Sequence, residues 1–103
     1  MTMTKQDSRF SRIRDWAQQR GLYQHGDSKT QMLKLIEEVG ETSRAILKND
    51  QPEIKDGLGD CFVVLVNLAH LSGYTLEECA DAAYDVIKKR EGKMVNGTFV
   101  KDE

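Results

Sequence analysis

The segment that most constrains the fold runs from Asp56 to Ser72 and reads DGLGDCFVVLVNLAHLS. On a helical wheel, with about 100° between residues, its apolar side chains point in every direction. A helix that is apolar on all sides is typical of a buried position. One small domain has little chain with which to cover such a helix, so we expect a second subunit to cover part of it.

A thin polar stripe interrupts this apolar helix. Asp56, Asp60 and Asn67 fall within roughly 40° of one another on the wheel. A buried carboxylate is costly unless it is paired with a charged group or bound to a metal. The stripe therefore predicts that another part of the chain, or a cation, meets it.

The remaining sequence favours an all-α chain, because it has a single proline and few strand-like alternations. We predict four main helices and a tail. The first helix runs from about Asp7 or Ser8 to Arg20, and a loop follows from Leu22 to Asp27. The second helix is capped by Ser28 and reaches about Lys48, the third runs from Pro52 to Ser72–Gly73, and the fourth runs from Thr75 to about Glu91, before a tight turn or small hairpin at Asn96-Gly97. This gives one domain over residues 1–103, with a helical core at 7–91 and a tail at 92–103.

Local signals support these boundaries. Thr75 and Glu78 are spaced as a capping box at the start of the last helix. Lys88, Lys89 and Arg90 are predicted to lie in its last turn, where cations suit the helix dipole.

The charge balance excludes several classes of partner. Lys and Arg total 15 and Asp and Glu total 17, for a formal charge of −2. This composition lacks the basic footprint expected for binding nucleic acid or an anionic membrane. The sequence shows no signal peptide and no membrane-length apolar run, and its two cysteines do not form a disulfide framework. We expect a cytoplasmic protein with reduced thiols.

A second acidic group precedes the central helix. Glu37, Glu38 and Glu41 share one sector of the second predicted helix, and like charges at these spacings repel one another. If this helix pairs with the next one, its carboxylates face Asp56 and Asp60. Two helices that each supply carboxylates can hold a hard divalent cation such as Mg²⁺, which completes its shell with water and substrate phosphates.

These two acidic motifs carry a family resemblance. KLIEEVGE, followed after a short spacer by DGLGDCFVVLVNLA, resembles the MazG-like all-α nucleoside triphosphate pyrophosphohydrolases, and the likeness extends from Trp16 to about Arg90. The resemblance implies a four-helix, oligomeric fold, either a homodimer or a homotetramer. It also implies Mg²⁺-dependent (or Mn²⁺-dependent) hydrolysis of a (d)NTP to a (d)NMP and pyrophosphate, as in nucleotide-pool housecleaning.

The resemblance also assigns roles to acidic residues. It implies that Glu38, Glu41 and Asp60 are metal ligands in the catalytic set, and that Glu37 binds a second metal or positions the attacking water. The family has a Glu three residues before Asp60, where this chain has Gly57. We expect Asp56, on the same helix face, to act as the substitute metal ligand.

Five further residues are candidates for substrate binding, each with a plainer alternative. Trp16 is either a stacking surface for a base or an apolar anchor. Lys34 contacts phosphate or balances the charge of its helix. Asn67 orients a carboxylate, binds the ligand or pairs with another subunit. Lys89 and Arg90 contact phosphate if the tail folds over the site, or are helix-end charges.

Two other functions remain open from the sequence. One is the same reaction on a different diphosphate compound, such as a phosphoribosyl compound or a dinucleotide. The other is a helical dimer that binds a nucleotide or a protein through its acidic channel without turnover, which the departure at Gly57 keeps open.

Overall fold

The computed structural model describes the backbone of residues 5–103 and the side chains from residue 9 onward. Its elements are α1 (Lys5–Gln19), α2 (Leu22–His25), α3 (Ser28–Lys48), α4 (Gln51–Leu71), α5 (Leu76–Ile87), β1 (Gly92–Val95) and β2 (Thr98–Lys101). Within this part of the chain the fold is all-α with a small two-stranded hairpin, which confirms the predicted fold class.

The two longest helices, α3 and α4, form an antiparallel pair joined by a very short loop. Asn49 ends α3 in the left-handed conformation with φ 53°. Asp50 then caps α4 by accepting a hydrogen bond from the Glu53 backbone N–H, and Pro52 lies in the first turn, where its missing N–H costs nothing. Because the loop is so short, residues at similar distances on either side of it lie opposite one another.

The other helices pack around α4 through specific side-chain contacts. The rings of Phe10 in α1 and Phe62 in α4 are 5.1 Å apart, between centroids. Arg14 in α1 donates two hydrogen bonds, of 2.8 and 2.7 Å, to the Glu77 carboxylate in α5. Tyr23 in α2 donates a 2.7 Å hydrogen bond to the Asn67 side chain. The buried apolar core is made of small and branched residues: Ala17, Ala45, Val64, Val66 and Ala69.

The predicted start of the fold is wrong at three places. Helix α1 begins at Lys5, before the expected caps Asp7 and Ser8, whose side chains lie outside the described part. The expected loop from Leu22 to Asp27 contains the short helix α2, entered through Gly21 at φ 78°. Asp27, not Ser28, caps α3, because its extended backbone lets its carboxylate accept a 2.8 Å hydrogen bond from the Thr30 N–H.

The last helix is shorter than predicted. The capping box of Thr75 and Glu78 is confirmed, but α5 ends at Ile87 rather than near Glu91. The cations at 88–90 therefore follow the helix, in a turn that leads into the hairpin. The hairpin is confirmed, with Asn96 and Gly97 at φ 50° and 85°, the left-handed pair that a tight two-residue turn requires.

Helix α4 is only partly covered by its own chain. Leu58 is 59% exposed and Leu65 is 38% exposed. On α3, Val39, Ile46 and Leu47 are also exposed. The described part of a single chain therefore covers only part of the circumference of α4, and cover of the rest by a second subunit stays a prediction. None of the described helices is long and apolar enough to pass through a membrane.

Candidate functional site

The α3–α4 pair brings Glu38 and Asp60 together. Glu38 is 7% exposed, which is unusual for a glutamate. Its carboxylate lies close enough to Asp60 to contribute to the raised pKa of the Asp60 carboxyl. Glu38 of the first acidic motif and Asp60 of the second are thus neighbours across the helix pair.

The electrostatics of Asp60 reflect this meeting of like charges. Loss of hydration raises the pKa of its carboxyl above the usual value, and the neighbouring charges of Asp56 and Glu38 raise it further. Lys34 opposes the rise. The folded protein therefore holds several acidic groups near one point with limited compensation by its own cations.

Lys34 is the cation that borders this cluster. Its ammonium lies 3.2 Å from a Glu38 oxygen and 3.5 Å from a Glu37 oxygen. The hydrogen bond to Glu38 is the main reason that the pKa of Lys34 is raised, and the charges of Glu37 and Glu38 add to it. Glu37 and Lys34 are both exposed, so each is accessible to a bound ligand.

Glu41 lies one turn further along α3 and is exposed. It lines a shallow cavity of about 340 Å³ near the α3–α4 loop, together with Arg44, Lys48 and Glu53. Among the described residues, no group of three or more His, Cys, Asp or Glu side chains is arranged to hold a metal ion by itself. The structure therefore brings together Glu38 and Asp60, with Asp56 near enough to influence the pKa of Asp60.

The position of Gly57 explains the departure from the expected glutamate. Gly57 is buried against Thr42 of α3. A Cβ built on Gly57 would overlap the Thr42 hydroxyl and lie 3.3 Å from the Thr42 Cα. A glutamate side chain does not fit at this point without separating the helices, whereas Asp56 is exposed beside it.

The candidate substrate-binding residues are spread over the molecule. Trp16 is 45% exposed, lines an apolar cavity of about 260 Å³ with Ile13 and Val63, and has the Arg20 guanidinium 5.4 Å from its ring centroid. Asn67 is 2% exposed and accepts the hydrogen bond from Tyr23, so its observed contact joins α2 to α4.

The cations after α5 belong to a different surface. Arg90 lines a cavity of about 760 Å³ between α5 and the hairpin, with Tyr84, Phe99 and Lys101. Lys89 is exposed in the adjoining turn. The structure thus places Lys34 beside the acidic pair and assigns Lys89 and Arg90 to the surface of the α5–hairpin region.

A family model for the MazG nucleotide pyrophosphohydrolase domain matches residues 27–95. The chain belongs to the MazG family. The matched range begins at the cap of α3 and includes both acidic motifs, so Glu38 and Asp60 lie inside the MazG domain. Helix α1, with Trp16, lies outside the matched range.

A curated relative of this MazG chain comes from a bacteriophage. It is an uncharacterized 18.2 kDa protein in the rep-hol intergenic region of Haemophilus phage HP1 (strain HP1c1), 46% identical over 57 residues. The aligned segment covers 55% of this chain and 35% of the relative, so the chain spans well under two thirds of that protein's length. No solved structure matches the chain.

Sequence reasoning missed two features in and around the candidate site. Thr42 and Gly57 form the helix contact beside the acidic pair, and Tyr23 holds Asn67 from a segment expected to be a loop. A glycine in the middle of an otherwise apolar helix was a usable signal for close helix packing, because glycine weakens a helix and needs a compensating contact. Tyr23 gave no comparable signal.

Proposed function

We propose that this MazG chain is a divalent-cation-dependent pyrophosphohydrolase that converts a (d)NTP to a (d)NMP and pyrophosphate. The observation that carries this proposal is the pairing of Glu38 and Asp60 across α3 and α4, inside the region matched to the MazG domain. Two adjacent carboxylates on a rigid helix pair form a site for a hard cation, and a nucleoside polyphosphate is a ligand that such a cation brings with it.

The donor set fits Mg²⁺, and also Mn²⁺. Magnesium is commonly held by one or two carboxylates, with waters and substrate phosphates filling the other positions. Glu38 and Asp60 would hold it directly, and Asp56 and Glu41 would complete the shell, directly or through water. When bound, the cation would neutralise part of the polyphosphate charge and polarise the phosphoryl oxygens.

The chain's own residues supply the remaining parts of the reaction. Glu37, exposed beside the pair, is placed to orient a water for in-line attack on the α–β phosphate linkage and to accept its proton. Lys34 contacts a phosphate oxygen, because its ammonium borders the same carboxylates. Breaking the linkage releases pyrophosphate as the leaving group and leaves the nucleoside monophosphate.

Outside the acidic pair, we propose that Trp16 stacks on the base, that Asn67 supports α4 behind the site, and that Lys89 and Arg90 contact phosphate in the assembled protein.

We also propose a homodimer or homotetramer in which a second copy covers the exposed apolar surface of α3 and α4, formed by Val39, Ile46, Leu47 and Leu58. A large uncovered apolar surface on a small domain supports association. We further propose a cytoplasmic role in nucleotide-pool housecleaning; the two free thiols, Cys61 and Cys79, fit a reducing compartment and do not bear on the role itself.

The test is pyrophosphate release from a panel of NTPs and dNTPs, with Mg²⁺, with Mn²⁺ and with EDTA. We expect release that requires the cation and falls about a hundredfold or more in Glu38→Gln and Asp60→Asn. We expect Asp56→Ala to be strongly impaired too. Asp81→Asn, which removes an exposed acid from α5, is the matched control and should retain activity.

Two results would redirect the proposal. Turnover of a phosphoribosyl diphosphate or a dinucleotide in place of any NTP would keep the reaction class and change the substrate. Nucleotide binding with no pyrophosphate release would favour the non-catalytic binding protein, a reading that the missing glutamate at Gly57 supports.

A further inference from the structure

Helices α3 and α4 approach closely where Gly57 meets Thr42. A Cβ on Gly57 would overlap the Thr42 hydroxyl and lie 3.1 Å from the Thr42 Cβ. The hydroxyl is held in place, because it donates a 2.8 Å hydrogen bond to the Glu38 backbone carbonyl. The obstructing atom therefore cannot rotate away freely, and a side chain at position 57 must push the two helices apart.

This contact lies one helical turn from the acidic pair on both helices. Thr42 follows Glu38 by four residues on α3, and Gly57 precedes Asp60 by three residues on α4. Because a helix is rigid over one turn, the separation at the contact sets the separation of the two carboxylates. The same threonine that meets Gly57 also fixes the backbone of Glu38.

We propose that Gly57 is a positioning residue whose missing side chain sets the α3–α4 spacing at which Glu38 and Asp60 share one divalent cation. The proposal rests on the proposed function for the cation itself. Neighbouring oxygens in an octahedral Mg²⁺ shell lie about 2.9 Å apart, since each is about 2.05 Å from the ion. Moving the helices apart by about 1 Å would leave only one of the two carboxylates in contact, because Mg²⁺ tolerates little distortion.

The chain provides a matched control in the same helix. Gly59 lies two residues further along α4, and a Cβ there meets no atom within 4 Å. Gly59→Ala changes the same residue type without touching α3, whereas Gly57→Ala wedges the helices. The double variant Thr42→Ala/Gly57→Ala removes the obstructing hydroxyl and should return part of the original spacing.

Cys61 reports the helix separation independently of any metal. Its sulfur lies 3.9 Å from the Thr42 hydroxyl oxygen, and the residue is half-buried. In a Cys79→Ser background it is the single thiol of the chain. We expect a thiol-specific reagent to react faster with Cys61 in Gly57→Ala than in the parent or in Gly59→Ala.

The experiment measures Mn²⁺ binding to the full chain by electron paramagnetic resonance, beside Cys61 reactivity and helical circular dichroism. We expect Gly57→Ala to raise the Mn²⁺ Kd about tenfold or more, the range seen when residues supporting metal ligands are changed. Gly59→Ala should leave it unchanged, and Thr42→Ala/Gly57→Ala should restore it in part. A change in stability alone, with an unchanged Kd, is what a merely structural glycine would give and would overturn the proposal.

The other outcomes are also decisive. Equal weakening by Gly59→Ala overturns the proposal, because that variant leaves the contact intact. If the parent protein binds no Mn²⁺, the proposed function loses its cation and this inference fails with it. If the parent and Gly57→Ala bind Mn²⁺ equally well, only this inference fails. If Gly57→Ala does not fold, the double variant is compared with Thr42→Ala. The added Cβ still lies 3.1 Å from the Cβ of residue 42, so the double variant should bind Mn²⁺ more weakly than Thr42→Ala, and equal Kd values overturn the proposal.

Discussion

Replacing Asp60 with asparagine should make the metal-free protein more stable while removing its response to Mg²⁺. The raised pKa means that the folded protein binds the Asp60 proton more tightly than the unfolded chain does. Ionised Asp60 therefore opposes folding. The group favours folding at low pH, and this contribution is lost as the pH rises through the raised pKa of the folded state.

The size of the effect is modest, because Asp60 is exposed and solvent screens its repulsion with Asp56 and Glu38. Screened pairs at protein surfaces contribute about 0.2–1 kcal/mol, so we take about 0.5 kcal/mol for the gain in Asp60→Asn. In a domain of this size that corresponds to a rise in Tm of about 2–4 °C. Below the ordinary aspartate pKa of about 3.9 the carboxyl becomes protonated in both the folded and the unfolded state, and the difference should disappear.

Magnesium should reverse the order of the two Tm values, so that the parent protein becomes more stable than Asp60→Asn. A cation at ten times its Kd stabilises the folded state by about 1.4 kcal/mol, or about 6–11 °C in Tm. The parent protein should gain this increment and Asp60→Asn should not. The assay is thermal unfolding followed by circular dichroism at one fixed protein concentration, in EDTA and in Mg²⁺, at pH 7 and below the ordinary aspartate pKa. A lower Tm for Asp60→Asn in EDTA at pH 7 would refute the reasoning, because it would show that the carboxylate stabilises the metal-free fold.

Three further predictions concern the contacts that hold the helices together. A double-mutant cycle on Arg14→Ala and Glu77→Ala should give a coupling energy of about 1–2 kcal/mol in urea unfolding at pH 7. The coupling should shrink as the pH falls through the pKa of Glu77, which the hydrogen bonds from Arg14 hold below its usual value. Tyr23→Phe should lower the free energy of unfolding by about 1–3 kcal/mol, because the buried Asn67 oxygen loses its hydrogen-bond donor. His70→Ala removes only the ring stacked 3.8 Å from Tyr23 and should lower it by less. Thr75→Ala should cost about 1 kcal/mol through loss of the α5 cap, and an unchanged Tm would argue against the capping box.

The helices with strong periodicity were predictable from the sequence. The extents of α3 and α4 follow from apolar spacing and from the break at Asn49–Pro52, and the capping box and the Asn96-Gly97 turn follow from local chemistry. These signals act over a few residues, so they do not depend on the rest of the fold. The short helix α2 escaped prediction because four residues carry no periodicity, and its position depends on Tyr23 reaching Asn67.

The acidic pair was predictable only in part. The antiparallel pairing of α3 and α4 was enough to place Glu38 opposite Asp60, since the loop between the helices is short. It did not indicate that Glu41 also lines the cavity near the α3–α4 loop, together with Glu53. The helical wheel likewise put Asn67 on the same stripe as Asp60, yet one is buried under α2 and the other is exposed. Which part of a stripe is covered depends on the neighbouring elements, and a wheel carries no information about them.

The ion pair between Arg14 and Glu77 limits how far this domain can be truncated at its N-terminal end. The MazG match begins at residue 27, but contacts reach back across that boundary, among them Phe10 to Phe62, Arg14 to Glu77, and Tyr23 to Asn67. A fragment limited to residues 27–95 would leave an aromatic face uncovered, a carboxylate without its guanidinium and a buried amide without its donor. We therefore expect the smallest unit that folds independently to extend beyond the part that the family shares and to include Phe10, Arg14 and Tyr23.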